Sequence, residues 1–361
     1  MSKLFFTVTN DLTYDQRMIR ICTSLSEAGF DITLIGRKTK KSVALNSMPF
    51  FQKRLYCFFQ KGKFFYIEYN IRLFFYLFFK KMNGICAIDL DTILPCLWIS
   101  YLKKIPRVYD AHELFCEMKE ISTRPKIYSF WKKIEKYSVP KFKYAYTVNK
   151  PIADEFKKNY HIDFEIIRSI SVYRASSAVS KEKFILYQGA VNEGRSFETL
   201  IPAMQQVDCP LIICGDGNFM QQAKDLVNQY GLANKITFKG MLAPTDLKKL
   251  TDKSYIGITL FEKDSKSNYF SLANRFFDYI HSGTPQICVN YPVYKELNNK
   301  YDIGILINDL KPESIEKALN ELLMNEGKWE SLHENCKKAA PEMCWQNEEK
   351  KLIAFYNSIF G

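Results

Sequence analysis

From residue 184 onward the chain repeats one pattern. Short apolar runs, FILYQG, LIICG, KITFKG, YIGITLF, PQICV and GILI, alternate with stretches of helical spacing such as FETLIPAMQQV and NFMQQAKDLVNQYG. Runs this short suit strands covered on both faces, and their alternation with helices predicts a parallel sheet. The first half begins the same way. KLFFTVT is followed by NDLTYDQR, by apolar positions Met18, Ile21, Cys22 and Leu25 up to Gly29, and then by DITLIG. Thr13 and Gln16 fit a capping box at the start of that helix. Further runs are GICAIDL, RVYD, YAYTV and FEIIRS. The polar, aperiodic stretch 169–183 reads as a linker. With 361 residues the chain has room for two domains. The expected fold is α/β, with Rossmann-like doubly wound domains at 1–170 and 171–340 facing a central cleft, and a final amphipathic helix in 341–361. Ligands of such sheets sit beyond the carboxyl ends of the strands, so the loops there deserve the closest reading.

Charge is divided unevenly. Residues 1–174 hold 30 Lys+Arg against 16 Asp+Glu, a balance of +14, and residues 175–361 hold 21 against 23, a balance of −2. The first half therefore suits an anionic partner. Residues 50–81 carry ten Phe, four Tyr, seven Lys/Arg and one acid, Glu68. The longest uncharged run there, LFFYLFF, is far below the ~20 residues of a membrane span. Paired aromatics between paired bases fit an element lying on a membrane surface, with a buried helix pair as the bland alternative. Nucleic acid is not expected, because none of the usual RNA-binding motifs is present. Ten scattered cysteines with no C-x-x-C pair read as buried thiols in a reducing compartment. MSKLFFTVTN is too polar for a signal peptide, so a cytoplasmic protein, peripheral on the inner membrane face, is expected.

The loop after the first strand has no glycine, which argues against a nicotinamide or flavin site. Asn10 and Arg17 lie in or near this turn as cleft candidates. Asp89 and Asp91 end one strand. Asp110, His112 and Glu113 follow another, where an imidazole could donate to a ligand hydroxyl or phosphate. In the second half, Gly189 and Arg195, and then Gly215, Asp216 and Gly217, would let backbone and charge approach a phosphate. SNYFSLANRFFDYIHSGTP supplies Ser271 or a neighbour as a helix cap. It also places Asp278 two turns into the helix, where a carboxylate could accept both hydroxyls of a ribose.

In order, YQGAVNEGRSFETLIPAM, LIICGDGN, ITFKG and SLANRFFDYIHSGTP resemble the donor domain of retaining, nucleotide-sugar-dependent glycosyltransferases of the GT-B type, family 4. TNDLTYDQRMIRICTSLSEAGFDITLIGR, DLDTILP and YDAHELF are similar to the acceptor domain of bacterial members that build surface polysaccharide. The resemblance implies a last helix that crosses back to the first domain. It implies a UDP- or GDP-sugar as donor substrate, no cofactor, no metal, and a lipid-linked saccharide as acceptor. Donor contacts would come from Gly189, Asn192, Arg195, Gly215, Asp216, Gly217, Ser271, Leu272, Asn274, Arg275 and Asp278. His112 and Arg195 would act at the reacting centre, and Asn10, Arg17, Asp91, Asp110 and Glu113 would line the acceptor side. Asp278 stands at the second acid of the family's E-x7-E motif. The first acid is replaced by Phe270, so the sugar contact does not carry over unless Glu262 or Asp264 substitutes. A nucleotide-sugar 2-epimerase of the same fold and a non-catalytic saccharide-binding module are the competing readings.

Overall fold

The computed structural model describes residues 1–40, 42–174 and 179–361. The chain divides into two compact units, Met1–Ser169 with Glu348–Gly361, and Ile170–Asn347. Four residues of the expected linker lie outside the described residues.

The first unit is built on a seven-stranded sheet of β1 (Lys3–Thr7), β2 (Asp31–Lys38), β3 (Phe51–Tyr56), β4 (Gly84–Ile88), β5 (Arg107–Ala111), β6 (Tyr144–Thr147) and β7 (Glu165–Ile166). Its order is β3-β2-β1-β4-β5-β6-β7, every neighbour parallel. The order reverses between β1 and β4, which makes the ends of those strands the switch point. Helices α1 (Gln16–Glu27), α2 (Gly62–Phe78) and α3 (Ile93–Lys103) supply crossovers. The tail helix contributes Tyr356 to this core, its ring 5.7 Å from Phe6 and 6.3 Å from Tyr146.

One local expectation is corrected. α1 is capped by Asp15, which accepts from Met18 N at 3.1 Å. Thr13 is already spent, because its hydroxyl donates to Asp11 in the preceding turn at 2.7 Å. The basic-aromatic segment 50–81 is mostly edge strand β3 followed by α2, not a helix pair.

The second unit holds β8 (Glu182–Gln188), β9 (Leu211–Cys214), β10 (Ile236–Gly240), β11 (Ser254–Thr259), β12 (Gln286–Val289) and β13 (Gly304–Ile307) in the order β10-β9-β8-β11-β12-β13, again all parallel. Here the switch point lies between β8 and β11. The helix Asn274–His281 buries Phe276, Phe277, Tyr279 and Ile280 against this sheet. Those four rings and branches fix its axis, and with it the positions of Arg275 and Asp278.

Candidate functional site

At the first switch point, polar groups from β1, β4 and β5 meet. Thr9 Oγ1 donates to Asp91 Oδ2 at 2.5 Å. Asp89 follows β4 with φ of 54° and ψ of 179°, a sparsely populated backbone conformation that costs a non-glycine residue about 1–3 kcal/mol. That turn lets its carboxylate accept from His112 N at 2.9 Å and lie 3.4 Å from His112 Nδ1. The other ring nitrogen, Nε2, is 3.3 Å from Asp110 Oδ2. Asp110 in turn accepts from Arg17 Nη2 at 2.7 Å, and both groups of this pair are buried.

Arg17 is thus not a turn residue open to ligand. It is the buried counter-ion of Asp110. His112 has both ring nitrogens facing carboxylates, an arrangement that favours its protonated form and fixes the ring. Asp89 belongs to the site as much as Asp91 does. Glu113 is half-buried beside them, and Asn10 is exposed, donating to Asp15 at 3.1 Å.

The electrostatics follow from burial. Burial raises Asp89 to about 6, with His112 opposing and Glu113 adding to the rise. Burial and then the Asp89 charge raise Asp91 to about 7. Burial works against a charged His112, yet Asp89 and then Asp110 outweigh it and leave it above its usual range. Burial also works against a charged Asp110, but Arg17 and then His112 hold it below the ordinary carboxylate value. Groups with raised values bind protons more tightly when folded. Their stabilising share is complete below the unfolded values and is lost as pH rises through the folded ones. The contribution of Asp89 and Asp91 to the melting temperature is therefore expected to fall as pH climbs from the ordinary carboxylate value of 3.8 to about 7, against the opposite slope from Asp110. Asp91→Asn should remove much of that slope in a pH series of thermal melts; an unchanged slope would refute the assignment.

At the second switch point stands Arg275. It is 8% exposed. Its guanidinium hydrogen-bonds Tyr187 Oη, Gln188 O and Leu260 O, each at 3.4 Å, the outer limit of a useful bond. Nε is buried without a partner, and among the described residues no carboxylate pairs with Arg275. Its charge is flanked by aromatic rings, Tyr187 at 4.8 Å and Phe261 at 4.6 Å. The same Phe261 ring lies 4.5 Å from Arg195, so one aromatic residue gathers both cations. Arg195 also donates to Asn268 Oδ1 at 3.0 Å, and Asn268 Nδ2 donates to Asp264 at 3.0 Å.

Glycines make room here. Gly189 has φ of 126°, and a Cβ there would meet Arg275 Nη1 at 3.1 Å. At Gly215 a Cβ would stand 1.8 Å from Gly189 O. The two loops are nested, which is why the second glycine is required whether or not a phosphate comes near. Asn192 Oδ1 accepts from Asn218 N at 3.0 Å and Asp216 Oδ1 from Gly217 N at 2.8 Å, so both serve loop geometry.

Asp278 is half-buried and already engaged. Oδ1 accepts from Ser171 Oγ at 2.6 Å and Oδ2 from Gln188 Nε2 at 2.9 Å. Gln188 is itself fixed by Thr251 Oγ1 at 2.6 Å. Ser171 had read as linker, and its partnership with Asp278 carries no local sequence signal. Ser271 is not the cap of the helix. Ala273 holds that position, while Ser271 Oγ donates to Asn268 O at 2.8 Å. Asn274 is exposed at the first helical position, and Leu272 is half-buried against the core. Phe270 ends the short helix Lys266–Tyr269, its ring 5.2 Å from Tyr269.

Two parallel, doubly wound sheets of this kind define a GT-B protein. Sucrose-phosphate synthase from Thermosynechococcus elongatus matches with a TM-score of 0.80 at 13% identity, over 100% of this chain and 99% of that one. Anabaena HepE, solved with UDP and glucose, matches with a TM-score of 0.77 at 11% identity, over 99% and 100%. At such identities the likeness is one of fold. More narrowly, residues 170–343 match the family described as Glycosyl transferases group 1. An uncharacterized glycosyltransferase of Methanocaldococcus jannaschii is 25% identical over 202 residues, 55% of this chain and 50% of that protein. The chain thus matches about half the length of this curated relative.

Proposed function

We propose that the chain transfers a sugar from a nucleoside-diphosphate sugar, UDP- or GDP-linked, to a lipid-linked saccharide or polysaccharide, with retention and without a metal. The observation that carries this reading is Arg275. A buried guanidinium that no carboxylate pairs with among the described residues is costly unless an anion completes it. With Arg195 on the same ring and Gly189 open beside it, the fitting anion is a diphosphate. The two cations would stabilise the charge that develops on the leaving group. Asp278, its orientation fixed by Ser171 and Gln188, is a carboxylate that suits two adjacent hydroxyls of a ribose. The UDP held by Anabaena HepE supports the same donor class here.

The sugar-binding side of the site has Phe270 where the resembled family has its first acid. Asp264 and Asn268, tied to Arg195, are the polar groups nearest to replacing it. The acceptor side is assigned to the first unit, whose charge balance favours an anionic, lipid-phosphate partner at the inner membrane face. A thermal-shift panel of UDP, GDP and their sugars tests the donor reading. Stabilisation by one nucleotide, reduced at least ~tenfold in apparent affinity by Asp278→Ala, is expected. No shift with any of them would sink it.

A further inference from the structure

Helix α2 has two apolar stripes. Phe65, Tyr69, Leu73 and Leu77 are buried and face the sheet. Phe64, Ile67, Ile71, Phe75 and Phe78 are exposed, each at least 47%. At about 100° per residue the two stripes are centred on opposite sides of the helix. A helix apolar all round is normally buried all round. Here the outward stripe has been left in solvent.

The stripe is part of a larger face. Ring contacts run from Phe59 to Phe64 at 5.3 Å, from Phe74 to Phe78 at 6.3 Å and from Phe78 to Phe79 at 5.2 Å. Phe74 continues to Trp98 of α3 at 6.4 Å, and Trp98, Tyr101 and Leu102 are exposed there at helical spacing. Ile71 and Phe75 also line a groove with Leu55 and Tyr56 of edge strand β3. Exposed lysines frame it: Lys61 and Lys63 before the stripe, Lys80 and Lys81 after it, and Lys104 at the end of α3. The single acid of residues 50–81 is used internally. Glu68 accepts from Phe58 N and Phe59 N, each at 3.0 Å, and from Arg72 Nε at 2.8 Å. No helix among the described residues is long and apolar enough to cross a membrane.

We propose that this two-helix face of α2 and α3 docks on the surface of an anionic lipid bilayer, its rings at the headgroup boundary and its lysines on anionic headgroups. Apolar residues flanked by bases and lacking free acids match that surface in both chemistry and sign. A second copy of the chain fits it less well, because face-to-face pairing would oppose lysine to lysine. The inference extends the proposed reading, whose acceptor is lipid-linked. It is tested without sugar or nucleotide, so either can fail alone.

The test is flotation of the full-length protein with phosphatidylcholine vesicles, and with vesicles that also contain phosphatidylglycerol. Binding to the anionic vesicles alone, reversed by added salt, is expected. Ile71→Glu with Phe75→Glu should lower the bound fraction at least ~tenfold. These side chains face solvent, so the thermal melt should be unmoved. If that variant melts early, Lys80→Glu with Lys81→Glu reads the charge half of the proposal, and it too should weaken binding. Absence of flotation overturns the docking face, as does flotation that neither variant changes. So does a concentration-dependent dimer in sedimentation that the Ile71 and Phe75 changes abolish.

Discussion

Replacing Arg275 with methionine is expected to abolish nucleotide binding while leaving the unliganded protein as stable as before, or more so. The two effects come from one fact. The guanidinium is desolvated and has no carboxylate partner among the described residues, with three hydrogen bonds at 3.4 Å as its protein support. Methionine fills a similar volume between Tyr187 and Phe261 and removes the buried charge, a change worth between zero and about 2 kcal/mol in favour of the fold. A diphosphate would lose its most enclosed cation. Truncating one side of a buried, hydrogen-bonded charge pair costs about 2–5 kcal/mol, so affinity should fall at least ~30-fold. Calorimetric titration and urea unfolding of the same preparation read both quantities. A residue that merely packed would show the opposite pattern, lower stability with binding intact.

The largest loss of stability is expected at Asp110. Its side chain is 0% exposed and Arg17 is 7% exposed, joined at 2.7 Å. Asp110→Asn keeps the shape but leaves Arg17 as an uncompensated buried cation. It also removes one of the two carboxylates that hold His112. Breaking such a pair from one side costs about 3–5 kcal/mol, against a total stability on the order of 10 kcal/mol. Removing both charges together, with Arg17→Met and Asp110→Leu, should restore much of the loss in equilibrium unfolding. If the double change were as damaging as the single one, packing rather than charge would be the cause.

Much of this architecture is legible from the sequence. FILYQG and LIICG become β8 and β9 because a short apolar run between helices has no other way to bury both faces. Loops after those strands, with Gly189, Arg195 and Gly215, can likewise be picked out, since ligand sites in open sheets lie there. What could not be read is which side chains meet across the sheet. The resemblance names Arg275 as a donor contact, but its enclosure by Phe261, Leu260 and Gln188, from two other strand ends, is visible only in the fold. Ser171 and Asp278 lie far apart in sequence and meet only through the fold. His112 reads as a group that could donate to a ligand, with acids nearby in sequence, while the two carboxylates that face its two nitrogens are visible only in the fold. Asp15 displaces Thr13 as the cap of α1 by a purely local competition, in which Asp11 takes the threonine hydroxyl first. The replacement of an acid by Phe270 is plain in the sequence, while the Arg195–Asn268–Asp264 chain beside it is visible only in three dimensions.

Transfer itself is the measurement closest to the central claim. The full-length protein, incubated with UDP- and GDP-sugars and a membrane lipid extract, should release one nucleoside diphosphate and place an equal amount of sugar in the lipid fraction. Arg275→Met should do neither. Intact donors and unlabelled lipid across the panel, from protein shown to be folded, would contradict the assignment of this chain as a sugar-transferring enzyme.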